Sequence, residues 1–165
     1  MRTRFLLVFL IGIALAAAAT AQTKISGTIQ CGKPDPTHAI DVGDRPGHGL
    51  AINKAQCNWT KPLEMAGSQS KDGVSVSSDE SSGDKSTGAG FHWGTMASGD
   101  KYFVRFQGTS VLKEGAPQSV DGTWRYTGGT GKLKGIKGSG TYKCSAPNPD
   151  GSMTYEVVGD YHLPQ

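Results

Sequence analysis

The strongest constraint on this chain is a period of two. In "KYFVRFQG", Tyr102, Val104 and Phe106 fall on one face, and Lys101, Phe103, Arg105 and Gln107 on the other. In "SVDGTWRYT", Val120, Trp124 and Tyr126 oppose Asp121, Thr123, Arg125 and Thr127. Short runs of this kind, punctuated by Gly, Pro, Asp and Ser, recur along the chain, while helix signals are nearly absent. The runs place strands near Lys24–Gln30, Gly49–Trp59, Val74–Ser78, Gly90–Ala97, Lys101–Val111, Ser119–Thr127, Gly135–Cys144 and Met153–His162. Short links join the last four, which favours antiparallel pairing of neighbours. A sheet of eight such strands removes its edges by closing, so the expected fold is an all-β, eight-stranded antiparallel up-and-down barrel. A two-sheet β-sandwich is the alternative, because alternation alone does not show closure.

The first twenty-one residues read as an export leader. Arg2 and Arg4 precede an apolar run from Phe5 to Ala18, and Ala19-Thr20-Ala21 has the small-x-small form of a cleavage site. The run is too short for a comfortable membrane span. The expected organisation is therefore a cleaved leader, residues 1–21, followed by one domain, residues 22–165, exported to the periplasm or the medium and not inserted in a membrane. Two of the seventeen basic residues leave with the leader. Fifteen basic then stand against fourteen acidic residues, a net charge of +1 that offers no argument for nucleic acid.

Cys31, Cys57 and Cys144 allow one disulfide and one spare thiol in an oxidising compartment. Cys31–Cys57 is favoured because it closes the long connection "CGKPDPTHAIDVGDRPGHGL"; Cys57–Cys144 is the alternative. That connection reads as a surface crossover clamped by the bridge, or as a lid over a barrel mouth. "SQSKDGVSVSSDESSGDKSTGAG" reads as a weak hairpin with a mobile tip.

"YTGGTGKLKGIKGSGTY" has the glycines and lysines of a phosphate cradle but not the spacing. Gly131-Lys132 is followed by Leu133 rather than Ser or Thr, Tyr126 stands where a P-loop needs its first glycine, and no helix follows. A tight hairpin with glycines at barrel corners accounts for it better. The segment "GTWRYTGGTGKLKGIKGSGTY", Gly122 to Tyr142, resembles the hairpin of the allene oxide cyclase and dirigent-protein barrels, and of exported bacterial proteins of unassigned function that share that barrel; the match extends loosely through "KYFVRFQGTS". The resemblance implies a barrel of the calycin or allene-oxide-cyclase type, often trimeric, with an apolar central cavity. The plant cyclases rearrange a fatty-acid epoxide, and dirigent proteins steer radical coupling. Their polar working residues lie outside the matched segment, so none transfers to this chain.

Tyr102, Phe106, Trp93, Trp124 and Tyr126 are the candidate ligand-lining aromatics. His92, in "FHWGTM", shares a face with Met96 and opposes Phe91 and Trp93, so it is an acid–base candidate if that face turns inward. Arg105 and Glu64 are weaker candidates, for an anionic group and for a buried acid respectively. Histidine and cysteine spacing gives no metal site, and the reading needs no cofactor. The expected function is binding of a small lipophilic molecule inside the barrel. A cyclase or isomerase, and a packed structural or envelope module, are the alternatives.

Overall fold

The computed structural model describes residues 22–164, so the expected leader lies outside the described residues. The strands are β1 (Thr23–Cys31), β2 (Thr37–Asp41), β3 (Gly49–Lys61), β4 (Glu64–Met65), β5 (Ser68–Ser82), β6 (Lys85–Met96), β7 (Lys101–Lys113), β8 (Ala116–Gly129), β9 (Lys137–Cys144) and β10 (Met153–His162). Eight of them close an antiparallel up-and-down barrel in the order β1-β3-β5-β6-β7-β8-β9-β10, with β10 returning to β1. That closure removes the sandwich alternative. The two further strands lie outside the closed wall. β2 takes over the edge of β3 where β1 leaves it: β1 ends at Cys31 opposite Cys57, and Thr37–Asp41 then pairs with Asn53 back to Gly49. The long connection is thus partly a strand along the wall. Cys31 and Cys57 are bonded across their register pair, and Cys144 is a buried free thiol.

The segment read as a weak hairpin is a long one, β5 and β6 pairing from Ser70–Met96 to Ser82–Lys85. The glycine-rich stretch has no phosphate geometry. After Gly129 the chain makes one 3₁₀ turn, Gly131–Leu133, and Gly131 and Gly135 adopt positive φ. The turn drives Leu133 and Ile136 into the end of the barrel, at 1% and 0% exposure, and leaves Lys132, Lys134 and Lys137 outside. Leu63, Met65, Met96 and Tyr161 join them in a plug. Tyr126 Oη donates to Met65 Sδ at 2.9 Å and Ala66 N donates to Tyr161 Oη at 3.1 Å, so these two phenol oxygens are paired where they meet the plug.

The opposite end is open and its rim is uneven. β8 pairs with β9 only from Val120 onward, while Ala116–Ser119 pair with β7 alone. On the other side β2 pairs with β3 alone. The run β2-β3-β5-β6-β7-β8 therefore stands taller than β1-β10-β9, and the mouth is a notch between the edges of β2 and β8.

One part of the wall inverts the usual arrangement. Along β3, β5 and β6 the inward positions are small or polar: Ala51, Asn53, Ser75, Ser77, Asp79 and His92 line the interior. Several outward positions are apolar, with Ile52 and Phe91 each 58% exposed and Trp93 40% exposed. Lys101 Nζ and Arg105 Cζ each sit 5.5 Å from an outer ring centroid, over Trp93 and Phe91 respectively.

Candidate functional site: the barrel lumen

The interior holds a cavity of about 530 Å³ between the plug and the notch. Glycines at inward positions make the room. A Cβ at Gly140 or Gly159 would meet the Trp124 ring at 2.7 or 2.5 Å, and one at Gly108 or Gly122 would meet the Tyr142 phenol. Large rings lie flat over glycine backbone, and the lumen stays open where an ordinary barrel of this size would be filled by side chains.

Of the aromatics singled out from the sequence, Tyr102, Phe106, Trp124 and Tyr126 face this cavity, joined by Trp59, Tyr142 and Tyr155. Tyr102, Tyr126 and Trp124 form an edge-to-face series with centroids 6.1 and 5.0 Å apart. Trp93 does not belong to it. It follows His92 on β6, and alternation sends it through the wall to the outer face. Arg105 is outward by the same rule, between lumen-facing neighbours Val104 and Phe106 on β7. Glu64 is exposed on β4, where its Oε1 accepts from Gln69 Nε2 at 2.6 Å. Of the polar candidates His92, Arg105 and Glu64, only His92 lines the lumen.

His92 is 9% exposed and is held at both ring nitrogens. Ser75 Oγ lies 2.9 Å from Nδ1, and Tyr102 Oη lies 3.4 Å from Nε2. Trp59 Nε1 donates to the same Tyr102 oxygen at 2.8 Å. With that lone pair taken, the Tyr102 proton is free to point at Nε2, which puts the imidazole proton on Nδ1 facing Ser75. Burial lowers the His92 pKa to about 4, and burial also raises that of Tyr102, against the hydrogen bond from Trp59. Near neutrality the pair is an uncharged hydrogen-bonding station in an aromatic wall.

Nearer the mouth, Asp79 Oδ2 accepts from Asn53 Nδ2 at 2.9 Å and from Ser77 Oγ at 2.7 Å. Sequence reasoning missed Asp79, Ser75, Tyr142 and Tyr155. For Ser75 and Asp79 the sequence offers only alternation, which sets Ser75, Ser77, Asp79 and Ser81 on one face and Val74, Val76, Ser78 and Glu80 on the other without saying which face turns inward.

No family model and no curated protein matches this chain. Among solved structures it is similar to a protein of unknown function from the DUF3224 family of Shewanella oneidensis MR-1, at a TM-score of 0.50 and 18% identity over 88% of this chain and 100% of that one. It is also similar to pyocyanin demethylase, at a TM-score of 0.42 and 20% identity over 81% and 98%. At these identities the likeness concerns the fold and carries no activity across. The chain shares with the DUF3224 protein a small β-barrel fold.

Proposed function

We propose that this protein binds a small, flat, largely apolar molecule in its lumen. The observation that carries the reading is the open cavity of about 530 Å³, walled by aromatic rings and provided with a few buried polar groups at fixed positions. Apolar area removed from water supplies the affinity, and His92, Ser75 and Tyr102 orient the molecule. The resemblance of Gly122–Tyr142 to the allene oxide cyclase and dirigent barrels supports a lipophilic guest. The export leader read at residues 1–21 supports a periplasmic or secreted site of action. The apolar outer faces of β3 and β6 support assembly of copies, such as the homotrimer common in those barrels, through that wall.

A cyclase or isomerase is the second reading, favoured by the Ser75–His92–Tyr102 chain at the cavity wall. Binding is preferred because an imidazole with a pKa near 4 is a weak base at neutral pH. The test uses the neutral lipophile N-phenyl-1-naphthylamine. It is expected to bind with a stoichiometry of one per barrel, and Ser110→Trp, which fills the lumen near the mouth, should abolish binding without lowering the melting temperature. Equal binding to both proteins would place the probe on the outer surface and overturn the reading.

A further inference from the structure

One register row runs around the barrel at mid-height: Ala51, Asp79, Gly88, Gly108, Gly122, Tyr142 and Val157. Three successive glycines separate the aspartate from the tyrosine. Each side chain lies down over the glycines next to it. A Cβ on Gly88 would collide with Asp79 Oδ1, and one on Gly108 or Gly122 with Tyr142 Oη. The carboxylate and the phenol thus extend toward one another along the same trough. The negative charge of Asp79 contributes, after burial, to raising the pKa of Tyr142 to about 12, and it also contributes to the raised value of Tyr155.

The charges of this lumen are one-sided. Among the described residues that line it, Asp79 is the one carboxylate: there is no lysine or arginine, and burial keeps His92 neutral. Both neutral donors, from Asn53 and Ser77, meet Oδ2, so Oδ1 is left facing the trough. Around Tyr142 stand Phe106 and Tyr155, edge-to-face with it at centroid distances of 6.2 and 5.8 Å. Aromatic faces carry negative quadrupole potential and favour a cation, as a carboxylate does, while an anion placed here would have no counter-charge.

We infer that the guest of this lumen is an organic cation, a flat amine or N-alkylated heteroaromatic whose positive nitrogen lies between Asp79 and the Phe106–Tyr142–Tyr155 cluster. The inference rests on the lumenal binding reading and adds the charge of the guest to it. An anionic lipophile such as a fatty-acid carboxylate is rejected by the same groups.

Three probes of nearly equal shape test it by isothermal titration: N-methylquinolinium, quinoline and quinoline-4-carboxylate, at about pH 7.5. The cation should bind about tenfold more tightly than quinoline, as expected for one partly screened charge pair in a protein interior, and the carboxylate should bind most weakly. Asp79→Asn keeps the side-chain shape and should bring the cation to the affinity of quinoline, with quinoline itself unchanged. Equal wild-type affinities for cation and quinoline, or a cation preference that survives in Asp79→Asn, would overturn the charge assignment and leave the binding reading intact. Failure of all three probes to bind would overturn both. If Asp79→Asn does not fold, the wild-type series alone decides.

Discussion

His92 sets a pH dependence whose size follows from its burial. The group titrates near 6.5 in an unfolded chain and near 4 in the barrel. Between these values the unfolded state binds a proton that the folded state does not, so unfolding becomes easier as pH falls. The stability in question is fully present above the unfolded value and is lost as the pH drops toward 4. For a shift of this size, the loss between about pH 7.5 and about pH 5 is about 2 kcal/mol. His92→Gln removes the titration but keeps a neutral hydrogen-bonding side chain. The assay is urea denaturation of both proteins at the two pH values, followed by tryptophan fluorescence. The wild-type midpoint should move down on acidification by an amount that the variant lacks, whatever the variant's stability at neutral pH. Other titrating groups cancel in the comparison, since they lie away from His92 and act alike in both proteins. Parallel pH curves for wild type and His92→Gln would refute the claim that this imidazole is buried and neutral.

His48 should show the opposite sign, with no effect on the lumen. Hydrogen bonds to Asp44, then to Glu80, raise its pKa, so the clamp they form between the β2–β3 connection and β5 is intact at low pH and weakens as pH rises through the raised value; proton NMR should find the His48 titration above the ordinary histidine range and the His92 titration well below it. Cys31→Ser opens a bridge with a sequence separation of 26 and should lower unfolding free energy by roughly 3 kcal/mol, while Cys144→Ser should change it by less than about 1 kcal/mol; the reverse ranking in thermal melts would reject the loop-entropy account. Ile136→Ala removes a fully buried side chain from the plug and should cost about 2–5 kcal/mol by chemical denaturation. Gly140→Ala would press a methyl against the Val158 carbonyl and the Trp124 ring and should destabilise by more than about 2 kcal/mol or prevent folding, whereas Gly32→Ala meets only Gln56 O at 3.7 Å and should be near neutral.

What could be read from the chain alone depended on which wall a residue belongs to. On β7 and β8 the apolar face turns inward, so alternation identified both the strands and the direction of Tyr102, Phe106, Trp124 and Tyr126. Cys31–Cys57 was legible because the long connection has one plausible clamp. On β5 and β6 the period of two survives but its sign is reversed. Val76, Phe91 and Trp93 are outside, and Ser75, Ser77, Asp79 and His92 are inside. Hydrophobicity then points the wrong way, which is why Trp93 was assigned to the lumen and why a serine-rich run was read as a weak hairpin. Asp79 was hidden for the same reason: nothing local distinguishes an inward aspartate from an outward glutamate one residue later. Only register, which sets Asp79 beside Gly88 and that glycine beside Gly108, gives it a role. The eight closing strands were countable, whereas β2 and β4, of five and two residues, owe their existence to pairing with longer neighbours.

The uneven rim separates two properties that are usually measured together. Leu133, Ile136 and their neighbours close one end, so a guest leaves the lumen by the notch through which it arrived. The groups at that notch, Gly115 and Pro117 on the β7–β8 side and Gly32 and Pro34 on the other, belong to the passage as well as to the cavity. By microscopic reversibility, a bulkier residue there that does not touch the seated molecule slows arrival and departure by the same factor and leaves the equilibrium constant unchanged. The walls then set how much of the protein is occupied, and the rim sets how long each molecule stays.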